Sequence, residues 1–222
     1  MAINYPKVSN DWRQLVQSWW NSMLIIPKNS NPINDPTGRN FENFKQPEDG
    51  KGIWFLAGNL GGTDRRKIKV KKGKALFFPE VNFIGCKNPL FGGDELKAST
   101  SNEASLYFEA NNTDPEKDAR EDITASEQTT TVEYKGPVKQ RIRKRVPLPF
   151  WTTRFGNPPV MGLKDGEAEC VSDGFWVFTE PLDAVGETAY ITIKSKHSDL
   201  KDSDGKHHEF NSTLTYEIEI VP

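Results

Sequence analysis

Apolar and polar positions alternate along most of this chain, and the period of the alternation changes once. Over residues 9–24, "SNDWRQLVQSWWNSML", the apolar positions recur at helical spacing: Trp12, Leu15, Val16, Trp19 and Met23 share one face. Ser9 or Asn10 can cap that helix, and Asp11 suits its positive N-terminal end. Pro27 ends the region. Residues 27–51 then read as an irregular loop, because Asn31-Pro32 and Asp35-Pro36 force turns or extended backbone. The loop is expected to wrap over the domain.

From residue 52 the pattern belongs to strands. "GIWFLAG" is an apolar run of buried-strand length, and "KIKVKK" alternates, with Ile68 and Val70 on one face. "ALFFPEVNF" follows Lys72-Gly73. "ASLYFEA" (104–110), "TTTVEYKG" (129–136) and "PVKQRIRKRVPLPFW" (137–151) continue the series, then "DGFWVFTEPL" (173–182), "TAYITIK" (188–194) and "FNSTLTYEIEIV" (210–221). The last run alternates cleanly: Phe210, Ser212, Leu214, Tyr216, Ile218 and Ile220 share a face, and Asn211, Thr213, Thr215, Glu217 and Glu219 share the other. That is the pattern of a half-buried antiparallel sheet. Nine or ten strands without alternating helices predict an all-β fold: a two-sheet antiparallel sandwich, jelly-roll or Ig-like, with an N-terminal helix (9–24) and the wrapping loop (27–51) in one domain spanning 1–222. Residues 111–128 are polar and acidic and read as an exposed loop.

Composition narrows the function classes. The chain has 222 residues, enough to bury a sizeable core, and 11% aromatics, which argues against disorder. A net charge of −2 drives binding to neither nucleic acid nor membrane. No apolar run is long enough to span a bilayer, and "MAINYPKVSNDW" lacks a signal-peptide pattern, so the compartment stays open. Cys86 and Cys170 can form one disulfide or remain free and buried; their spacing fits no zinc pattern.

"LAGNLGGTDRR" looks at first like a phosphate loop. Such a loop works because a helix starts directly after it. Here a strand-like alternation follows, and neither Gly-Lys-Ser/Thr nor G-x-G-x-x-G is present. The glycines are therefore expected to make a hairpin turn in a β-meander: strand, Gly-rich turn, strand, Lys-Gly turn, strand. No cofactor or metal is expected. His197, His207 and His208 lie around an Asp204-Gly205 turn, and neighbours in a strand point to opposite faces.

Lys139, Arg141, Arg143 and Arg145 alternate into a basic stripe. Its expected partners are cross-strand carboxylates such as Glu133 or Glu219, because single-stranded nucleic acid sites interleave aromatics and this strand has none. Of six tryptophans, Trp12 and Trp19 belong to the core face of the helix; Trp20 and Trp151 fall off the expected core faces and are the candidate sugar platforms. Glu80, Asp94 and Glu95 adjoin apolar stretches and are the candidate acid–base carboxylates. Asn82 and Asp173 are polar groups inside buried runs and join Trp20 and Trp151 as candidate ligand-binding residues.

The order of "SWWNSMLIIPKNSNPINDPTG", "GIWFLAGNLGG", "KVKKGKALFFPEVN", "DELKA", "VSDGFWVFTEPL" and the closing "FNSTLTYEIEIV" resembles a family of small, mostly secreted, uncharacterised bacterial proteins. The resemblance spans most of the chain and is least over 111–145. It implies no catalytic residues. The family's two cysteine positions hold Asn40 or Phe41 and Ile68 here, implying a dropped disulfide, and Thr188 stands where the family tends to have histidine. Three functions follow as expectations: a non-catalytic binding domain for a glycan or similar polar ligand; a hydrolase or lyase using carboxylates near Glu80 and Glu95; or a structural, assembly-forming protein.

Overall fold

A computed structural model describes residues 9–47, 52–87, 130–160, 166–201 and 207–222. Helix α1 runs Ser9–Leu24, as the apolar spacing predicts. Three 3₁₀ turns follow, at Lys28–Ser30, Pro32–Asn34 and Arg39–Asn43. The strands are β1 (Ile53–Phe55), β2 (Gly62–Lys71), β3 (Ala75–Lys87), β4 (Thr130–Lys135), β5 (Gln140–Arg145), β6 (Leu148–Phe155), β7 (Gly166–Pro181), β8 (Thr188–Lys201) and β9 (His207–Val221). The run expected as one strand over 137–151 divides at Val146-Pro147, where the chain loses a ladder N–H. The expected strand 104–110, the acidic loop 111–128, Asp94, Glu95 and Asp204-Gly205 lie outside the described residues.

The strands form two sheets. One has the order β1-β3-β7-β5, with β6 also on β7; the other is β2-β9-β8-β4. The fold is thus an all-β two-sheet sandwich with an N-terminal helix. Its pairings are antiparallel except β1 with β3 and β2 with β9, which run parallel. The parallel pairs correct the expected meander. β1 and β3 sit in one sheet while β2, between them in sequence, sits in the other. Gly61 (φ 107°), Gly62 (φ 76°) and Gly73 (φ 77°) turn the chain between sheets and make no hairpin. Leu56 and Ala57 stay buried after β1 because the chain dives across the sandwich there.

β7 is the centre of the first sheet and is buried continuously from Cys170 to Thr179, the pattern of a strand covered on both faces. Trp176 and Phe178 project to the helix side. Trp12 packs on Phe77 and Phe178, and Trp19 stands edge-on to Trp176 at 5.2 Å. β9 buries Ser212, Leu214, Tyr216, Ile218 and Ile220 on one face, as its alternation predicts. Loop 27–47 closes one side of the sandwich. Arg65 and Lys67 of β2 donate backbone N–H to the carbonyls of Pro36 and Thr37, and the Gln46 amide satisfies both backbone groups of Phe55 in β1. Two edges that invite foreign strands are covered in this way. Gly38 (φ 93°) makes the approach possible, since a Cβ there lies 2.8 Å from the Lys67 carbonyl.

Candidate functional site

The glycine-rich stretch holds a cation. Arg66 is fully buried and reaches back over the turn that precedes it. Its Nη1 donates to the carbonyls of Ala57 (3.3 Å) and Gly58 (2.8 Å) and to Tyr216 Oη (2.9 Å); its Nη2 donates to Ile33 O (3.3 Å) and Asp64 Oδ2 (3.0 Å). A phosphate loop turns N–H groups on an anion; this loop turns carbonyls on a guanidinium. Tyr216 in turn donates to Ala57 O, and burial first of all raises its pKa, with Arg66 opposing the shift. The assembly joins the loop, the turn, β2 and β9, and its work is structural.

Chemistry-bearing side chains gather instead around residues 170–176 of β7. Pro79 pairs with Trp176 and Val81 with Phe175, so Glu80 is an extra residue in the ladder. This bulge accommodates a proline in an inner strand and re-aims Glu80. Glu80 Oε2 accepts from Arg143 Nε (2.5 Å) and Oε1 from Arg143 Nη2 (3.3 Å). The Arg143 guanidinium also lies 4.0 Å from the centre of the Phe175 ring, a cation–π contact. Two residues on, Arg145 donates from Nε (3.1 Å) and Nη2 (2.9 Å) to Asp173 Oδ2, whose other oxygen accepts the Gly174 N–H at 2.8 Å. The carboxylates are buried and the guanidiniums a third exposed: side-chain exposure is 6% against 31% in one pair, and 3% against 36% in the other. Tyr134 of β4 lies nearby; burial, and next the Glu80 charge, push its phenol well above the usual range, against the pull of Arg143.

The basic stripe is thereby corrected. Gln140 pairs with Thr179 but Ile142 with Phe178, so Arg141 is the extra residue of a second bulge and the alternation breaks there. Lys139 falls out of line with Arg143 and Arg145. Their carboxylate partners are Glu80 and Asp173. Glu133 pairs with Lys194 and Glu219 with Lys69, out on the second sheet.

The tryptophan platforms are corrected too. Trp20 is 1% exposed and donates its indole N–H to Ser172 Oγ at 3.0 Å; Trp151 is 7% exposed and donates to Asn21 Oδ1 at 3.0 Å. The helix packs against β6 as well as against β3 and β7 of the same sheet, and Gly156 donates its N–H to the carbonyl of Leu24. That second contact widens the buried stripe of α1 beyond the arc that one face predicts. Trp12 and Trp19 are core residues, as expected.

On the helix side of β3 and β7, Asn82 stands opposite Gly174. A Cβ at Gly174 lies 2.7 Å from Asn82 Cβ and 3.0 Å from Trp176 Nε1, so only glycine lets these two side chains meet. Asn82 Nδ2 and Trp176 Nε1 are buried without an acceptor. Farther along the same ladder, Cys86 pairs with Cys170 in a cross-strand disulfide, and the described residues contain no free cysteine. The β8–β9 hairpin sets His207 opposite Lys201 and His208 opposite Leu200; the histidine side chains lie outside the description. Among the described residues no group of three metal-ligating side chains occurs, and no helix is long and apolar enough to cross a membrane.

Of the candidate residues, then, Trp20, Glu80, Asn82, Trp151 and Asp173 all border residues 170–176 of β7, divided between its two faces. Sequence reasoning missed Gly174, Trp176 and Tyr134. It left Arg143 and Arg145 without their partners, although Pro79 inside an apolar run was a legible sign of the bulge that aims Glu80.

No family model matches the sequence, and a search of curated proteins finds no match. Among solved structures, the cysteine protease inhibitor EhICP2 from Entamoeba histolytica is similar over 76% of this chain and 95% of its own, with 12% identity and a TM-score of 0.30. A likeness at that score carries no functional argument.

Proposed function

We propose that this chain is a non-catalytic binding domain for a glycan or a similar polar ligand. One observation carries the reading: around residues 170–176 of β7 both carboxylates are already engaged, while two buried N–H donors are not. Both oxygens of Glu80 and both of Asp173 accept hydrogen bonds from arginine or backbone N–H. A carboxylate buried and held in this way by guanidinium and backbone N–H is committed to an ion pair, and acid–base work needs a carboxylate free to exchange its proton with a substrate within hydrogen-bond reach. The unmet groups are N–H donors, Asn82 Nδ2 and Trp176 Nε1. A site of that kind suits a ligand rich in acceptor oxygens. The cross-strand disulfide fits an oxidising compartment, in keeping with the secreted character that the family resemblance implies.

Calorimetric titration of the intact chain against a panel of neutral and acidic oligosaccharides tests the proposal. Saturable binding that Asn82→Leu removes, with the variant still folded by circular dichroism, is the expected result. Folded wild-type protein that binds nothing at millimolar ligand contradicts it.

A further inference from the structure

The chain's net charge of −2 hides an uneven distribution. The outer face of the second sheet presents Arg65, Lys67, Lys69 and Lys71 from β2, Lys194 from β8 and Lys135 from β4. Ile68, Val70, Ile191 and Ile193, which alternate with them along β2 and β8, are buried, and that fixes which face is outward. Against these six basic side chains the face sets three carboxylates. Glu217 is shared by Arg65 (2.9 Å) and Lys67 (3.0 Å), Glu219 pairs with Lys69 (3.5 Å), and Glu133 pairs with Lys194 (2.8 Å). Across the ladder Lys71 faces Val221 and Lys135 faces Tyr190, so neither has a carboxylate opposite. A surplus of positive charge therefore lies on one face of a chain that is negative as a whole. We propose that this face docks on an anionic lipid bilayer and is held there by charge, independently of the region around residues 170–176.

The layout of the face selects the partner. The side chains of Arg65, Lys67 and Lys69 are 64%, 70% and 71% exposed, so their charges stand clear of the sheet. The β2 row from Arg65 to Lys71 covers about 20 Å of strand, and β4 lies three strand spacings away, about 14 Å. Between the β2 row and Lys194 and Lys135 runs β9, which carries Glu217 and Glu219. A linear polyanion can follow only one basic row at a time, and it borders those carboxylates throughout. A bilayer meets the whole face at once, and its lipids diffuse, so anionic headgroups gather at the cations and leave the carboxylates to neutral ones. A protein partner fits poorly, because interface cores are depleted in lysine and glutamate. Single-stranded nucleic acid needs successive aromatic platforms, and these strand positions offer Tyr190 alone. With Val221 the one aliphatic side chain among them, nothing here inserts into the hydrocarbon, so attraction to the headgroup charge carries the contact.

The test is co-sedimentation of the intact chain with vesicles of phosphatidylglycerol and, separately, of pure phosphatidylcholine. Partitioning to the first alone is expected, and it should vanish as salt shortens the screening length from about 10 Å at 0.1 M to about 3 Å at 1 M. Lys71→Gln and Lys135→Gln are each expected to weaken it about fivefold, the worth of one basic residue at a charged membrane. Glu219→Gln is expected to strengthen it by a similar factor, a gain that misfolding does not produce. Arg13→Gln, which removes the same charge from an exposed position of α1, is expected to leave it unchanged. Equal binding to the two lipids overturns the proposal. So does an Arg13→Gln loss as large as that of Lys71→Gln, which would mean that total charge and not this face governs binding. A linear polyuronate or single-stranded nucleic acid bound as tightly as the vesicles assigns the face to a polymer and overturns the bilayer. Each of these failures leaves the oligosaccharide reading standing, since that reading rests on other residues.

Discussion

Two parts of this molecule pair arginine with a carboxylate, and they bury opposite partners. In the first, Arg66 is sealed, and its two terminal nitrogens share five acceptors drawn from the wrapping loop, the glycine turn, β2 and β9. In the second, the carboxylates Glu80 and Asp173 are sealed and the guanidiniums of Arg143 and Arg145 stay a third open to solvent. Buried charge that joins four separate segments specifies a structure. Buried carboxylates that fix partly exposed arginines leave a rigid polar surface, with unmet donors on the other side of the same strands. The difference marks the closed side of the sandwich as scaffold and the region around residues 170–176 as the place to look for ligand.

The largest effect that sharpens this contrast is at Arg66. Arg66→Met strands Asp64, Tyr216 and three carbonyls together, and is expected to cost about 3–5 kcal/mol in denaturant unfolding. Arg145→Gln is expected to cost less, about 1–2 kcal/mol, because its guanidinium is partly solvated and Asp173 keeps the Gly174 N–H. Equal losses at the two arginines break the distinction between scaffold and surface. The smallest effect lies in the loop that covers β1 and β2. Burial pushes the Asp35 pKa up, but hydrogen bonds from Asn40, Thr37 and Gly38 outweigh it and hold the carboxyl below the ordinary aspartate value of 3.8. A lowered folded-state pKa contributes stability that is present above 3.8 and lost as pH falls through the folded value. Asp35→Asn is expected to cost about 1 kcal/mol at pH 7, the worth of a capping residue, and to lose less stability than wild type between pH 5 and about pH 2. A wild type and variant with parallel acid profiles contradict that assignment.

Local signals carried much of the fold. The helix over 9–24 follows from apolar spacing, and β9 from strict alternation, because one buried face imposes each period. Which strands pair did not follow, since β1 and β3 are neighbours through a crossover that places β2 in the other sheet, and no local pattern encodes that. Bulges were the second blind spot. An extra residue at Glu80 and another at Arg141 each shift the alternation by one, so a stripe drawn by counting residues put Lys139 with Arg143 and Arg145 wrongly. The region of the site was legible, because Asn82 and Asp173 are polar residues inside apolar runs and structure is needed to keep them there. The roles of Trp20 and Trp151 were not, because β6 lies against α1 beside β3 and β7, and the spacing of one helix face does not show where that strand sits.

The most direct measurement of the central claim is a backbone amide NMR titration with the same panel of neutral and acidic oligosaccharides. The account predicts shifts concentrated at Asn82, Ser172, Gly174 and Trp176, with the amides of Ala57 to Arg66 unmoved. Shifts centred on the glycine turn and the Arg66 assembly, with residues 170–176 silent, contradict it.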